Sequence, residues 1–75
     1  MEPYRNLAGD SGVVSFECGP DFIKVGFRNG SIYVYDYSHT GEQDVERMKE
    51  LARNGRGLST YISRFVQASY SYKER

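Results

Sequence analysis

The sequence predicts a small α+β domain of two layers, in which a three-stranded antiparallel β-meander is followed by two helices packed on one face of the sheet. Alternating apolar residues in the first half of the chain indicate strands, and apolar residues at helical spacing in the second half indicate helices. Strands and helices that occupy separate parts of a chain are typical of this class. The 75 residues suffice for one domain, 1–75, with an ordered core expected at about 11–68 between a flexible N-terminus (1–10) and a flexible tail (69–75).

The three predicted strands are separated by short turns. Apolar and polar side chains alternate over 14–18, which predicts the first strand. The second strand is predicted at 22–27 and the third at 32–37. Gly-Pro-Asp at 19–21 and Asn-Gly at 29–30 are turn sequences, so consecutive strands are expected to pair antiparallel.

The Asn29-Gly30 turn permits two pairing registers. A two-residue loop places Tyr33 and Tyr35 on the open face of the sheet beside Lys24, where they form a stacking platform for bases. A three-residue loop with Gly30 in a bulge shifts the pairing by one residue and places both tyrosines in the core. Gly30 needs a positive φ in either case, and a one-residue shift turns every side chain to the other face.

Two helices are predicted after the strands. Residues 40–43 match the capping-box sequence, with Thr40 as the N-cap of a helix that Gly55 ends in the left-handed conformation. A second helical apolar face follows over 58–65. The predicted core consists of the apolar residues that these patterns place inside: Val14, Phe16, Ile23, Val25, Phe27, Val45, Met48, Leu51, Leu58, Ile62 and Phe65.

Charge is distributed unevenly along the chain, although the net charge is zero. Residues 1–46 hold three basic and eight acidic side chains, which gives −5, and residues 47–75 hold seven basic and two acidic side chains, which gives +5. A basic C-terminal half favours contact with a polyanion such as RNA. An ordinary solvated helix face with a basic tail explains the same pattern without a ligand.

The sequence offers no set of residues for catalysis, metal binding or cofactor binding. Cys18 is the only cysteine and His39 the only histidine, so neither an internal disulfide nor a His/Cys metal site is expected. Phosphate-binding loops and zinc-protease motifs are absent. We therefore expect no enzyme activity and no cofactor. The chain also lacks a long apolar run and a signal-peptide pattern, so we expect a cytoplasmic protein without membrane contact.

The order and spacing of these motifs resemble the KTSC domain, which is named for the C-terminal domain of some lysyl-tRNA synthetases and also occurs as free-standing bacterial proteins of this size. The resemblance covers about residues 11–65. Leu58 stands where the family usually has an aromatic residue, and 38–41 replaces a Val-Pro pair. The positions that carry the family motif are Phe27, Gly30, Tyr33, Tyr35, Gly55 and Ile62.

The resemblance bears on the register and on the function. The middle residue of the family's Tyr-x-Tyr motif is commonly polar, which implies that it faces water and that the flanking tyrosines face the core. We therefore predict the bulged register, although local turn statistics favour the two-residue loop. RNA binding is the activity suggested for the family.

Two functions of different class follow as hypotheses. The first is binding of RNA or another polyanion. The second is a protein-interaction module that pairs with itself or with a partner protein through an exposed face or edge of the sheet. Arg56 is the strongest candidate for the first, because flanking glycines let its guanidinium approach a phosphate, although an ordinary interhelical turn explains the same glycines. The nucleic-acid-binding candidates are Lys24, Arg53, Arg56, Tyr61 and Arg64.

Overall fold

The computed structural model describes residues 1–9 and 11–75. Within these residues, five strands, two α-helices and one π-helical segment follow one another along the chain. They are β1 (Glu2–Pro3), β2 (Val13–Cys18), β3 (Phe22–Phe27), β4 (Ile32–Asp36), α1 (Glu42–Asn54), α2 (Leu58–Tyr61), the π segment (Ile62–Val66), which continues α2 directly, and β5 (Tyr72–Lys73).

The strands form one antiparallel sheet in the order β1-β2-β3-β4-β5. The α+β class is confirmed, but the prediction of a three-stranded sheet is wrong, because each terminal segment adds an edge strand. Glu2 pairs with Phe16 at one edge, and Tyr72 pairs with Val34 at the other. Each edge strand has only two residues, which is too short for an alternating pattern to reveal.

The pairing of β3 with β4 follows the bulged register. Tyr33 lies opposite Val25, and Tyr35 lies opposite Ile23, so both tyrosines share the face of the sheet that the helices cover. Tyr35 is only 2% exposed, and Tyr33 packs at the margin of the core. The register predicted with the help of the family resemblance is therefore confirmed.

The turn between these strands explains the register. The amide of Phe27 donates to the carbonyl of Ser31 (2.8 Å), and the amide of Gly30 donates back to the carbonyl of Phe27 (2.9 Å). Gly30 has φ = 92°, the left-handed conformation that a three-residue loop with a bulge requires. The side-chain oxygen of Asn29 accepts a hydrogen bond from the amide of Ser31 (3.0 Å), and this bond stabilises the turn.

Helix α1 begins differently from the prediction. Gly41 is its N-cap, with φ = 99°, and no side chain within 1–9 or 11–75 caps the helix. The hydroxyl of Thr40 donates instead to the carbonyl of Ser69 (2.6 Å), so the capping box does not form. The end of the helix matches the prediction, because Gly55 adopts the left-handed conformation (φ = 73°). A Cβ atom at position 55 would also lie 2.8 Å from Cβ of Arg5, which is closer than an ordinary van der Waals contact.

A buried lysine attaches α1 to the sheet. Lys49 is only 4% exposed, and its ammonium group donates to the carbonyl of Gly19 (2.6 Å) in the turn between β2 and β3. The ammonium group also pairs with the carboxylate of Glu46 (2.7 Å). The same carboxylate accepts a hydrogen bond from the hydroxyl of Tyr37, which follows β4 (2.6 Å). The positive charge of Lys49 is therefore compensated by a carboxylate and a carbonyl oxygen, as a buried charge requires.

The π segment changes which residues face the core. A π turn contains one more residue than an α turn. Residues four positions apart therefore lie on the same face of the helix, whereas a residue three positions along the chain points away from that face. Ile62 and Val66 are buried, whereas Phe65, a predicted core residue, is 62% exposed. A similar shift occurs in β2, where an irregular pairing between Val13 and Ser15 buries Val13 and exposes the predicted Val14.

The N-terminal segment also enters the core. Tyr4, which follows β1, is buried, and its hydroxyl accepts the amide of Leu58 (3.3 Å) at the start of α2. The amide of Tyr4 donates to the carbonyl of Val14 (2.9 Å). The buried apolar residues are Tyr4, Val13, Phe16, Ile23, Val25, Val34, Tyr35, Val45, Met48, Ala52, Leu58, Ile62 and Val66.

The bulged turn predicts a specific response to substitution. Gly30→Ala should lower the free energy of unfolding by about 1–2 kcal/mol, because the left-handed backbone opposes the methyl group, whereas no atom of the described residues lies within 4 Å of it. Urea unfolding of both variants measures this cost. Gly12→Ala is the control, because Gly12 has no positive φ and, among the residues that the structure describes, equally open surroundings. Equal midpoints for the two variants would contradict the described turn.

The π segment predicts that truncation of Val66 destabilises the domain more than truncation of the larger Phe65. Val66→Ala should destabilise the domain by about 1–3 kcal/mol, because it removes two buried methyl groups and leaves a small cavity. Phe65→Ala should change stability by less than about 0.5 kcal/mol, since an exposed ring loses little on truncation. Thermal unfolding of the two variants decides the matter, and a larger loss for Phe65→Ala would show that an ordinary α-helix continues through this segment.

Candidate functional site

A cavity of about 370 Å³ lies between the sheet and the helix that α2 and the π segment form. We call this cavity the slot. Its size falls within the range of small-ligand sites. The residues that line it come from β3, β4, the helix and the chain before β5: Phe27, Tyr33, Tyr35, Ser59, Ile62, Ser63, Gln67 and Tyr70.

One wall of the slot is aromatic. The rings of Phe27 and Tyr33 meet edge to face with centroids 5.7 Å apart, and those of Tyr33 and Tyr70 meet edge to face at 4.8 Å. Both arrangements are favourable for aromatic pairs, because the positive edge of one ring faces the negative face of the other. Tyr33 is thus held between two neighbours at the centre of this wall.

The opposite wall carries hydrogen-bonding groups. Ser59, Ser63 and Gln67 line the slot at intervals of four residues. This spacing matches that of the buried residues Ile62 and Val66, because the π segment keeps positions four apart on one face. The polar wall therefore runs along the helix beside its apolar face, with hydroxyl and amide groups that both donate and accept.

Tyr35 lies at the base of the slot. Its hydroxyl makes no hydrogen bond to the described residues, although the side chain is 2% exposed. Among those residues, no buried side-chain polar atom lacks a partner, so the hydroxyl must reach the open space of the slot. Burial, with smaller effects of Tyr33 and Tyr70, raises the pKa of Tyr35 to about 12, and the group stays a neutral donor at neutral pH.

A cation lies beside the aromatic wall. Lys73 pairs with Tyr33 in the sheet, and its ammonium nitrogen lies 5.8 Å from the centroid of the Tyr33 ring. This is within the range of a cation–π contact. Lys73 is exposed, so it can also contact an anionic group of a ligand at the mouth of the slot.

Four of the six residues on which the KTSC resemblance rests meet in this site. Phe27, Tyr33, Tyr35 and Ile62 all line the slot. The two motif glycines act at a distance from it: Gly30 fixes the turn that sets the register, and Gly55 ends α1.

The arginine candidates for nucleic-acid binding lie outside the slot. Arg53 and Arg56 are exposed at the end of α1 and in the turn after it, and Arg5 donates to the carbonyl of Arg53 (2.5 Å). Arg64 is exposed on the π segment, next to Ser63 in sequence, with its guanidinium 6.0 Å from the centroid of the Phe65 ring.

The two remaining candidates are engaged elsewhere. The hydroxyl of Tyr61 donates to Asp44, and its ring packs against Phe65 at 4.9 Å between centroids. Lys24 lies on the face of the sheet opposite the helices, where it pairs with Glu74 (2.8 Å). The five candidates therefore do not form one surface.

Sequence analysis missed five residues at the slot: Ser59, Ser63, Gln67, Tyr70 and Lys73. The four-residue spacing of the first three is visible in the sequence, but it indicates a shared face only once the π segment is known. Tyr70 and Lys73 were assigned to a flexible tail, and nothing local indicates that the tail returns to β4.

Residues 1–9 and 11–75 contain no group of three or more His, Cys, Asp or Glu side chains that could hold a metal ion. In the same part of the chain, no helix has the length and apolar character needed to cross a membrane.

Comparison with known proteins gives no match: no family model fits the chain, and no significant match is found among curated proteins or solved structures.

The raised pKa of Tyr35 predicts a loss of stability at high pH. An unfolded tyrosine loses its proton near pH 10, whereas Tyr35 in the folded domain keeps it to about pH 12. The corresponding stabilisation is complete below pH 10 and is lost as the pH rises to 12. The urea midpoint should therefore fall over this interval, and less steeply for Tyr35→Phe. Parallel curves for wild type and variant would contradict the assignment. Tyr37 and Tyr61, whose pKa values are also raised to about 12, account for the fall that remains.

Proposed function

We propose that this domain binds single-stranded nucleic acid, RNA in the first place, and that one base enters the slot. A nucleobase has two apolar faces and a polar edge. An aromatic wall opposite a wall of hydroxyl and amide groups matches this combination, because the ring contacts Tyr33 while its edge meets Ser63 and Gln67.

The single observation that carries the proposal is the hydroxyl of Tyr35, which makes no hydrogen bond to residues 1–9 or 11–75. Because this oxygen is not a buried atom without a partner, solvent satisfies it in the free protein, and an acceptor on a ligand can replace that solvent. This hydroxyl opens into the slot and remains a neutral donor. A carbonyl oxygen or ring nitrogen of a base is a suitable acceptor.

Positive charge near the mouth of the slot supports a ligand that also carries phosphates. Lys73 lies beside Tyr33 at the aromatic wall and is exposed. The +5 charge of residues 47–75 adds a general attraction for polyanions. The KTSC resemblance agrees with this proposal and itself remains a prediction.

The alternative function, pairing with a protein through the sheet, has less support from the geometry. Both edge strands have two residues, and short edge strands offer few backbone groups to a partner. The open face carries the Lys24–Glu74 ion pair rather than a continuous apolar surface. The aromatic slot has no role in such pairing.

Binding of fluorescent RNA oligonucleotides about ten nucleotides long tests the proposal, because this length covers one binding site of an aromatic-lined domain. Tyr33→Ala should weaken binding by about tenfold or more, since stacking on a base contributes about 1–3 kcal/mol. Tyr33→Phe keeps the ring and should retain most of the affinity. Phe65→Ala is the matched control, because Phe65 is an exposed aromatic residue on the helix beside the slot and does not line it. Melting curves must show that each variant is folded.

Salt dependence distinguishes the two functions. Contact with two to four phosphates should give a slope of log affinity against log salt of roughly −1.5 to −3, whereas apolar pairing holds or strengthens as salt rises. The double variant Arg53→Glu with Arg56→Glu should reduce this slope and leave the effect of Tyr33→Ala intact. The proposal fails if wild type binds no RNA at low salt, or if Phe65→Ala weakens binding as much as Tyr33→Ala.

A further inference from the structure

The C-terminal residues 69–75, which we call the strap, form one side of the slot. Tyr70 contributes the outer ring of the aromatic wall, and Lys73 contributes the cation beside it. The rest of the slot belongs to the sheet and the helix. A ligand inside the slot is therefore enclosed only while the strap lies against β4.

Backbone hydrogen bonds to β4 hold the strap against the edge of the sheet. Its backbone amides at Ser71 and Glu74 donate to the carbonyls of Val34 and Ile32, both at 2.7 Å. The hydroxyl of Thr40 donates to the carbonyl of Ser69 at the start of the strap (2.6 Å). Tyr70 and Tyr72 keep 39% and 51% of their surface exposed, so neither ring is buried in the core. Segments of this kind open at a small fraction of the global free energy of unfolding.

One side-chain ion pair attaches the strap to the other face of the sheet. Lys24 lies between the core residues Ile23 and Val25, so its side chain points away from the helices and from the slot. Its ammonium group lies 2.8 Å from the carboxylate of Glu74. Both side chains are partly shielded from solvent. The interaction therefore connects the centre of the sheet to the end of the strap without touching the slot.

We infer that the strap is the movable wall of the slot, and that the Lys24–Glu74 ion pair on the opposite face determines how firmly this wall closes on a bound base. The inference rests on the proposed function for its ligand. Opening of the strap withdraws Tyr70 and admits a base, and closing places the ring of Tyr70 and the charge of Lys73 against it. Lys24 is thus a positioning residue, which acts on binding through the strap.

Amide hydrogen exchange in the free protein tests the attachment without any ligand. Glu74→Gln and Lys24→Gln should each lower the protection of the Ser71 amide by about two- to fivefold, the effect of an exposed ion pair. The Tyr4 amide is the internal control, since it donates to Val14 at the opposite edge of the sheet, and its protection should not change. Unchanged protection at Ser71 in both variants would overturn the inference, whatever the protein binds.

Binding of the same RNA oligonucleotides tests the consequence. Removal of a negative charge ordinarily strengthens binding to a polyanion. A loosened strap has the opposite effect, so Glu74→Gln should weaken RNA binding by about two- to fivefold, mainly through faster dissociation. Glu2→Gln is the matched control, because Glu2 is an exposed carboxylate on the other edge strand. The affinity of this variant for the RNA should equal that of wild type or exceed it.

The outcomes separate the two proposals. Weaker binding by Glu74→Gln, with added protection of the Ser71 amide when RNA is bound to wild type, supports the movable wall. Binding by Glu74→Gln that equals or exceeds that of wild type overturns it and leaves the proposed function in place. Absence of RNA binding by wild type overturns the proposed function and, with it, the inference.

Discussion

The pairing of β3 with β4 is the constraint on which both the core and the slot depend. Side chains alternate across a sheet with a period of two, so the length of the turn at Gly30 decides which face every residue of β4 occupies. With the three-residue loop, Tyr35 completes the core and Tyr33 forms the centre of the aromatic wall. A two-residue loop would place both rings on the open face and leave the helices above a sheet of smaller side chains.

The helical layer is attached to this sheet in two different ways. Helix α1 uses buried polar contacts as well as apolar ones, because Lys49 reaches the carbonyl of Gly19 in the turn between β2 and β3. Such a contact specifies one position of the helix along the sheet, whereas apolar packing alone tolerates small displacements. The helix formed by α2 and the π segment depends on the apolar residues Leu58, Ile62 and Val66, and this leaves its neighbouring face free to line the slot.

The fold could be predicted from the sequence where local patterns decide it, and not where distant segments meet. The hairpin turn and the end of α1 at Gly55 depend on backbone conformations that glycine favours, and both were predicted. Exposure of Phe65 follows from a π turn, which has no sequence signal comparable to a glycine or proline. The core position of Tyr4 and the slot position of Tyr70 depend on edge strands of two residues, whose pairing partners lie far away in the chain. The candidate site was therefore predicted only in its motif residues.

The three lysines of the chain have three different surroundings, and this affects how the protein can be labelled. The amino group of Lys49 is shielded beneath α1, that of Lys24 is held by Glu74, and that of Lys73 is exposed beside Tyr33. Among the three lysines, amine-reactive dyes should therefore spare Lys49 and attach most readily to Lys73. A dye at this position would lie beside the Tyr33 ring, so conjugation at Lys73 would interfere with the proposed binding of a base while the fold stayed intact.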